Sequence, residues 1–391
     1  MQEQTYLSME NYLHRYEARK KQAALPPHQR MLERLFAPYT DPRNPEELLS
    51  ALQKNFTEDE AAVWCLYPEF TVDAVGKAPE DVAPDLPEHL RAQAAALSAS
   101  LAEKAFLYPT PTRDGRDGYV CTYLLDVISA HITVNDGTGL DTALQHYWGD
   151  LMAGDSAHLR CNITEHRILP HEGALTGEAE HGRIPMHLEI PDTRTVLPFD
   201  RLTEMLNRCH SFAVFPCLCR SIEEHNGTRQ CDLPIDDVCI VFDQAADSAI
   251  ASGAGRAAMR EEILQIVRRC RDLGMVQTIS NAEHPLALCN CCKCCCLCLR
   301  SLQHYEDVIC IGSRFVADAA RRESCIRCGK CVKTCPVGAV SLSEIGVQIA
   351  AGKCAGCGEC VSLCPKGVLK LTARSGAPTA LPQERLNRIY I

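Results

Sequence analysis

The chain has 391 residues, enough for two to four domains, and its 46% hydrophobic and 23% charged residues exclude a disordered or fibrous architecture. The net charge of −10 argues against nucleic acid as the main partner, and 25 cysteines are the outlier of the composition. The opening MQEQTYLSMENYLHRYEARKK lacks the apolar core of a secretory signal, and no stretch reaches the roughly 18 apolar residues of a membrane span, so a cytoplasmic chain with reduced thiols is expected, whose clustered cysteines are ligands rather than disulfides.

Residues 1–28 begin with a helix that carries Tyr6, Leu7, Met9, Tyr12, Leu13 and Tyr16 at helical spacing and ends at Pro26–Pro27. Residues 29–150 read as one domain. Met31, Leu32, Leu35 and Phe36, then Leu48, Leu49 and Leu52, mark helical stretches. Thr57 with Glu60 three residues on is a capping-box pattern. After the proline-punctuated APEDVAPDLPEH, the Ala- and Leu-rich LRAQAAALSASLAEKAFLYP is a helix, and Asp114–Gly115 and Asp117–Gly118 lie between two extended segments, as in a hairpin.

Helix, helix, longer helix and hairpin is the order of a winged helix. DNA affinity rests on Lys and Arg neutralising phosphates. The candidate recognition helix offers only Arg91 and Lys104, and residues 1–150 hold 13 basic against 23 acidic residues. This module is therefore expected to dock a protein, or a second copy of the chain as a homodimer, with nucleic acid disfavoured.

Residues 151–315 are expected to form a Cys-rich α/β domain. HRILPHE and MHLEIPD are extended, PFDRLTEMLNRC is helical, and the strand SFAVFP delivers the chain to Cys217. GRAAMREEILQIVRRCRDLG is a helix with Gly274 as its C′ residue, and the strand MVQTIS leads to a second run of cysteines. Both Cys groups thus follow extended segments and could meet at one end of the domain. SGAGR at 252–256 reads as a loop before a helix rather than a phosphate cradle. No dinucleotide or Walker fingerprint appears, and His210, His225 and His284 read as ordinary histidines.

From Cys325 the sequence is CIRCGKCVKTCP and from Cys354 it is CAGCGECVSLCP, each C-x2-C-x2-C-x3-C-P. Three thiolates of one loop reach one cubane, and the fourth, before Pro, belongs to the other. Cys325, Cys328, Cys331 and Cys364 are therefore expected to hold one 4Fe–4S cluster, and Cys354, Cys357, Cys360 and Cys335 the second. Gly329, Gly356 and Gly358 permit tight loops, and Pro336 and Pro365 turn the chain after each fourth ligand. Zinc also uses C-x2-C pairs, but not two tandem four-Cys runs each ending in Cys-Pro. Residues 321–372 resemble the bacterial dicluster ferredoxins, which implies low-potential one-electron transfer in a fold of two pseudo-symmetric halves. Residues 316–391 hold 11 basic and 5 acidic residues, a surplus that offsets anionic clusters.

The middle cysteines are Cys217, Cys219, Cys231 and Cys239, then Cys289, Cys291, Cys292, Cys294, Cys295, Cys296 and Cys298 in CNCCKCCCLC. Isolated cysteines such as Cys65, Cys121, Cys161, Cys209, Cys270 and Cys310 read as buried free thiols. Seven in ten consecutive positions do not, and thiolate-rich sites favour Fe–S, zinc or Cu(I). The simplest assignment is a third 4Fe–4S cluster on Cys217, Cys219, Cys231 and Cys239. On a helix, Cys289, Cys292 and Cys296 would share one face for a fourth, and Cys291, Cys294, Cys295 and Cys298 the other. A compact cage for one unusual cluster stands beside these. The C-x-C-R … C … C-N-C-C-x-C-C-C arrangement ahead of a dicluster segment resembles multi-cluster 4Fe–4S ferredoxin-type proteins of anaerobic bacteria and archaea, over residues 30–372. Lys293 departs from that pattern, where Gly is expected; it or Arg220 would stabilise thiolates.

The architecture expected is α+β and multidomain: an N-terminal helix (1–28), a helical winged-helix-like domain (29–150), a central Cys-rich α/β domain (151–315), a C-terminal dicluster ferredoxin domain (316–372) and a tail (373–391). Three functions compete. One is an electron-transfer protein or redox-complex subunit serving a reductase, dehydrogenase or flavoprotein through the two ferredoxin clusters and one or two further Fe–S clusters. The second is an iron–sulfur reductase, an oxidoreductase with a catalytic metal site at 217–298. The third is a cluster-dependent redox-sensing regulator.

Overall fold

The structure is a computed structural model, and it describes residues 24–36, 44–68, 75–122, 131, 137–153, 166–176, 196–251, 253, 255–282, 284–304 and 310–377. The helix expected over 1–24, the MHLEIPD segment and Cys161 lie outside the described residues. No described helix is long and apolar enough to cross a membrane. The chain divides between residues 163 and 164 into two compact units.

The first unit opens with α1 (Pro27–Phe36), which starts on the second of the two prolines, as suits a Pro at N1. α2 (Pro45–Asn55) and α3 (Glu58–Trp64) follow. The capping box forms as expected: Thr57 Oγ1 accepts from Glu60 N at 3.1 Å, and Glu60 Oε2 accepts from Thr57 N at 2.8 Å. After two single helical turns comes α4 (Ala94–Glu103), then β1 (Leu107–Pro109) antiparallel to β2 (Tyr119–Cys121), then α5 (Leu140–Ala153).

Leu48, Leu52, Trp64, Leu101 and Phe106 form the core of this unit, where Trp64 Nε1 donates to Phe106 O at 2.8 Å. The first unit is thus α+β, with helices ahead of a two-stranded antiparallel hairpin. Two basic groups of this unit are committed to carboxylates, while Arg91 Nε donates to Leu86 O at 3.1 Å. Lys104 pairs with buried Glu60 at 2.7 Å, and Arg116 pairs with Glu80, Asp81 and Asp114.

The second unit is built on a seven-stranded mixed sheet in the order β6-β4-β5-β8-β7-β3-β9. Its strands are β3 (His166–Ile168), β4 (Phe212–Phe215), β5 (Cys239–Phe242), β6 (Arg256–Ala257), β7 (Val276–Ser280), β8 (Ala287–Cys291) and β9 (Cys310–Ile311). All pairings are antiparallel except β3–β9. Interspersed are α6 (Glu172–Thr176), α7 (Leu202–Leu206), α8 (Leu218–His225), α9 (Asp243–Ala251), α10 (Arg260–Asp272) and α11 (Leu297–His304). SGAGR connects α9 to β6, so it is a loop that feeds a strand and not a helix N-terminus.

α10 covers one sheet face with Ile263, Ile266, Val267 and Cys270 against Ile240, Phe242, Ile279 and Leu288. It ends as expected at Gly274, which adopts φ +76°. Gly274 N donates to Arg271 O and Met275 N to Cys270 O, the two bonds of a Schellman motif.

The ferredoxin segment completes the same unit. β10 (Phe315–Asp318) pairs antiparallel with β13 (Lys370–Ala373), and β11 (Val340–Ser343) with β12 (Gly346–Ile349). Two short helices, α12 (Lys330–Thr334) and α13 (Glu359–Ser362), each follow a left-handed glycine, Gly329 at φ +75° and Gly358 at φ +82°. Phe315, Val361, Leu369 and Leu371 form its core together with Ala174 and Leu175 of α6. The Cys-rich and ferredoxin segments therefore share one compact body.

Candidate metal centres

The two ferredoxin loops assemble the thiols expected of them. Cys325, Cys328, Cys331 and Cys364 line one cavity together with Ile326, Lys330 and Lys366. Cys360 faces Cys357, Cys354 and Cys335, so the fourth thiol of the first run joins the second loop. Burial pushes the Cys360 thiol well up, and the neighbouring thiols push the same way. A buried thiol of this kind stays protonated in the metal-free chain and loses its proton when a metal takes its place.

Backbone amides reach the sulfurs in a repeated pattern. Ala339 N donates to Cys335 Sγ at 3.1 Å and Val368 N to Cys364 Sγ at 3.3 Å, each four residues beyond its cysteine. Ala317 N adds a third, to Cys354 Sγ at 3.4 Å. Donors aimed at sulfur stabilise anionic thiolate and sulfide.

The two loops differ in exposure. Cys328 and Arg327 are exposed, and Ile326 is 57% exposed, whereas Cys357 and Cys360 are buried. A Cβ on Gly356 at φ +69° would stand 2.1 Å from Phe315 O, so only glycine fits the inner loop. Arg327 takes the equivalent left-handed place in the outer loop at φ +51°, where it projects into solvent.

The middle cysteines group differently from expectation. Residues 287–291 are strand and only 297–304 are helix, so helical faces do not sort the run. Strand alternation does: Cys289 and Cys291 lie on one face of β8, and Leu288 and Asn290 on the other. Cys239 of β5 is the cross-strand partner of Cys289. Cys217, the N-cap of α8, faces Cys219 and Cys239. Cys296 faces Cys219, Cys291 and Cys298, and Cys298 in turn faces Cys310. Thr278 Oγ1 lies 3.3 Å from Cys291 Sγ.

The result is a cage of eight thiols: Cys217, Cys219, Cys239, Cys289, Cys291, Cys296, Cys298 and Cys310. His166 of β3 contacts Cys289 at its edge. Cys231 is not part of this cage, which corrects its grouping with Cys217, Cys219 and Cys239. It stands instead with Cys292, Cys294 and Cys295, all four sulfurs within 4.8 Å of one another.

Two participants escaped the sequence reading. Cys310, read as an isolated free thiol, begins β9, and its cross-strand partner is His166, the second participant. The signal available was that CIG after a Cys-rich helix is again a thiol at a strand. His210, His225 and His284 are exposed, as ordinary histidines are.

The electrostatics of the cage are those of shared protons. Contacts with Cys219 and Cys239 hold Cys217 well below the ordinary thiol value, and Arg220 adds to this. Contact with Cys239 brings Cys289 down to about 6. Contacts with Cys219, Cys291 and Cys298 likewise hold Cys296 well below the ordinary thiol value, and Cys219, Cys239, Cys291 and Cys298, beside these lowered thiols, are pushed well up. Thiols shifted down and thiols shifted up thus alternate around the cage, and a metal centre would replace the protons they share.

Arg220 is the counter-charge. It is fully buried; Nε donates to Pro234 O at 2.8 Å and Nη1 to Asn290 O at 3.1 Å, while Nη2 has no acceptor. Burial opposes its charge, and the thiols of Cys217, Cys292 and Cys291 outweigh burial and raise its pKa. No carboxylate pairs with it among the described residues. A guanidinium in such a place requires anionic sulfur beside it. Below it, Arg271, Gln277 and Asn290 form a buried chain that ends on Val238 O and fixes β8 beneath its thiols. The donor set and the uncompensated cation both fit iron–sulfur clusters.

The chain matches the family model of the 4Fe-4S dicluster domain over residues 324–368. No curated protein and no solved structure matches it. Residues 324–368 thus make up a ferredoxin-type iron–sulfur segment.

Proposed function

We propose that the chain is an iron–sulfur electron-transfer protein or redox-complex subunit, which relays single electrons between a partner protein and the thiol cage at 217–310. The observation that carries this reading is that three separate segments tie the cage to the neighbours of the inner cluster's cysteines. His166 contacts Cys289, and His171 N donates to Cys357 O at 2.8 Å. Cys310 faces Cys298, and Ser313 Oγ donates to Gly356 O at 2.7 Å. Cys298 lies in the first turn of α11, and Gln303 on the same helix donates to Pro336 O, next to Cys335. These links span three to five residues, about 11–18 Å if fully extended and about 7.5 Å along the helix.

Held in these places, 4Fe–4S clusters supply one-electron chemistry at low potential. Cys325, Cys328, Cys331 and Cys364 would hold the outer cluster, and Cys354, Cys357, Cys360 and Cys335 the inner one. The cage has thiols for one or two more. The exposed edge at Ile326 and Cys328 is the face open to a reductase, dehydrogenase or flavoprotein. Arg327, Lys330, Lys333 and Lys366 are exposed around it and favour an acidic partner. The N-terminal unit would serve to dock a protein or a second copy of the chain.

The test uses the full chain, purified anaerobically, with Cys219→Ser and Cys296→Ser. Each variant should lose about four irons and four sulfides and keep the reduced ferredoxin EPR signal. Unchanged iron and sulfide in both variants would remove the cage from the relay.

A reductase reading is favoured by one observation only. His166 places an imidazole against a cage thiol, where a proton could accompany an electron.

A further inference from the structure

Cys292 and Cys291 are neighbours in sequence but face different ways. Cys291 ends β8 and points into the cage, and the next residue turns to the other side. The turn at 293–295 is closed by Cys296 N donating to Cys292 O at 3.2 Å. It returns Cys294 and Cys295 to Cys292, while Cys296 goes back to the cage. Cys231 arrives from the loop between α8 and β5.

The spacing of the sulfurs identifies what this group holds. Cys294 Sγ lies 3.6 Å from Cys295 Sγ and 3.7 Å from Cys292 Sγ, and Cys231 Sγ lies 3.9 Å from Cys295 Sγ. Four sulfurs about 2.3 Å from one tetrahedral ion stand about 3.8 Å apart. Cubane ligands spread further, because each binds a different iron corner. Cationic groups surround the site: Arg220 against Cys292, Arg229 against Cys231, and Arg300 Nη1 at 3.4 Å from Cys294 O. They would balance the charge of about −2 that four thiolates leave on a divalent ion.

We propose that Cys231, Cys292, Cys294 and Cys295 bind one divalent thiophilic ion, zinc or iron, with no inorganic sulfide, at a site separate from the cage. Four protein ligands close the coordination sphere, so the ion is not a substrate site. Zinc there staples the 226–238 loop to the end of β8; iron there adds a one-electron centre. Arg220 lies between this ion and the cage and is shared by both.

The test measures metals and acid-labile sulfide on the anaerobically purified full chain, and on Cys231→Ser and Cys294→Ser. The wild type should hold about one ion per chain beyond the iron matched by sulfide, and each variant should lose that ion with sulfide unchanged. Cobalt(II) exchanged into the wild type should show the visible bands of a tetrahedral tetrathiolate, absent from the variants. Metal analysis distinguishes zinc from iron, and either supports the site. A joint loss of about four irons and four sulfides in the variants would make these thiols cubane ligands and overturn the proposal. Failure of the wild type to hold an excess ion or show cobalt bands would also overturn it. If a variant loses the ferredoxin EPR signal and so its fold, the wild-type ratio and cobalt spectrum decide. The electron-transfer reading fails on the sulfide count, not on the excess ion, so the two outcomes are separable.

Discussion

Arg220 lies against Cys292 as a fully buried cation whose pKa is raised by the thiols of Cys217, Cys292 and Cys291. Replacing it with Met of similar length leaves those thiolates uncompensated. Arg220→Met should cost about 3–5 kcal/mol in the metal-loaded chain, read as a lower denaturation midpoint. It should also lower the reduction potential of the cage, because a positive charge that favours the electron is gone. Arg220→Lys keeps the charge without the forked donors and should recover part of both losses. A midpoint and potential untouched by Arg220→Met would mean the sulfurs are not anionic.

Glu60 predicts a different, pH-dependent effect in the first unit. Burial pushes its pKa up, and hydrogen bonds from Lys104, Ser100 and the Thr57 backbone together hold it below the ordinary carboxylate value. The folded pKa is therefore below the unfolded one. Its contribution is complete above about pH 4.3 and is lost as pH falls through the folded value. Glu60→Gln should cost about 1–3 kcal/mol at neutral pH, and the unfolding midpoints of variant and wild type should converge on acidification. Parallel pH profiles would contradict this.

The ferredoxin repeat makes a paired prediction. Gly356→Ala drives a Cβ into Phe315 O and should abolish retention of the inner cluster. Arg327→Gly, at the matching left-handed position outside, should be neutral or stabilising by at most about 1 kcal/mol. Iron content and thermal midpoint of the two variants check the asymmetry.

Exposure makes another. In metal-free chain, Cys328 should react with an alkylating reagent well before buried Cys357. In loaded chain, Cys328→Ser should remove about four irons and leave the inner cluster's signal. Equal reactivity of the two thiols would contradict the inner and outer assignment.

The parts legible in the sequence were those where spacing alone fixes geometry. Each C-x2-C-x2-C loop is too short to place its sulfurs elsewhere, and the crossing of Cys335 and Cys364 follows from the repeat. Thr57–Glu60 and Gly274 were legible for the same reason, because caps act over three or four residues. The cage was not. Helical and strand periods both accommodate a run of seven cysteines in ten, and only the pairing of β8 between β5 and β7 decides between them. Cys231 and Cys310 were misassigned because their partners lie 64 and 12 residues away, across loops whose course local pattern does not determine.

The most direct test of the central claim is iron and acid-labile sulfide per chain on anaerobically purified protein, with EPR during reductive titration. The account predicts about twelve to sixteen sulfides, with cage signals besides those of the ferredoxin segment. About eight irons and eight sulfides, with ferredoxin signals alone, would contradict it.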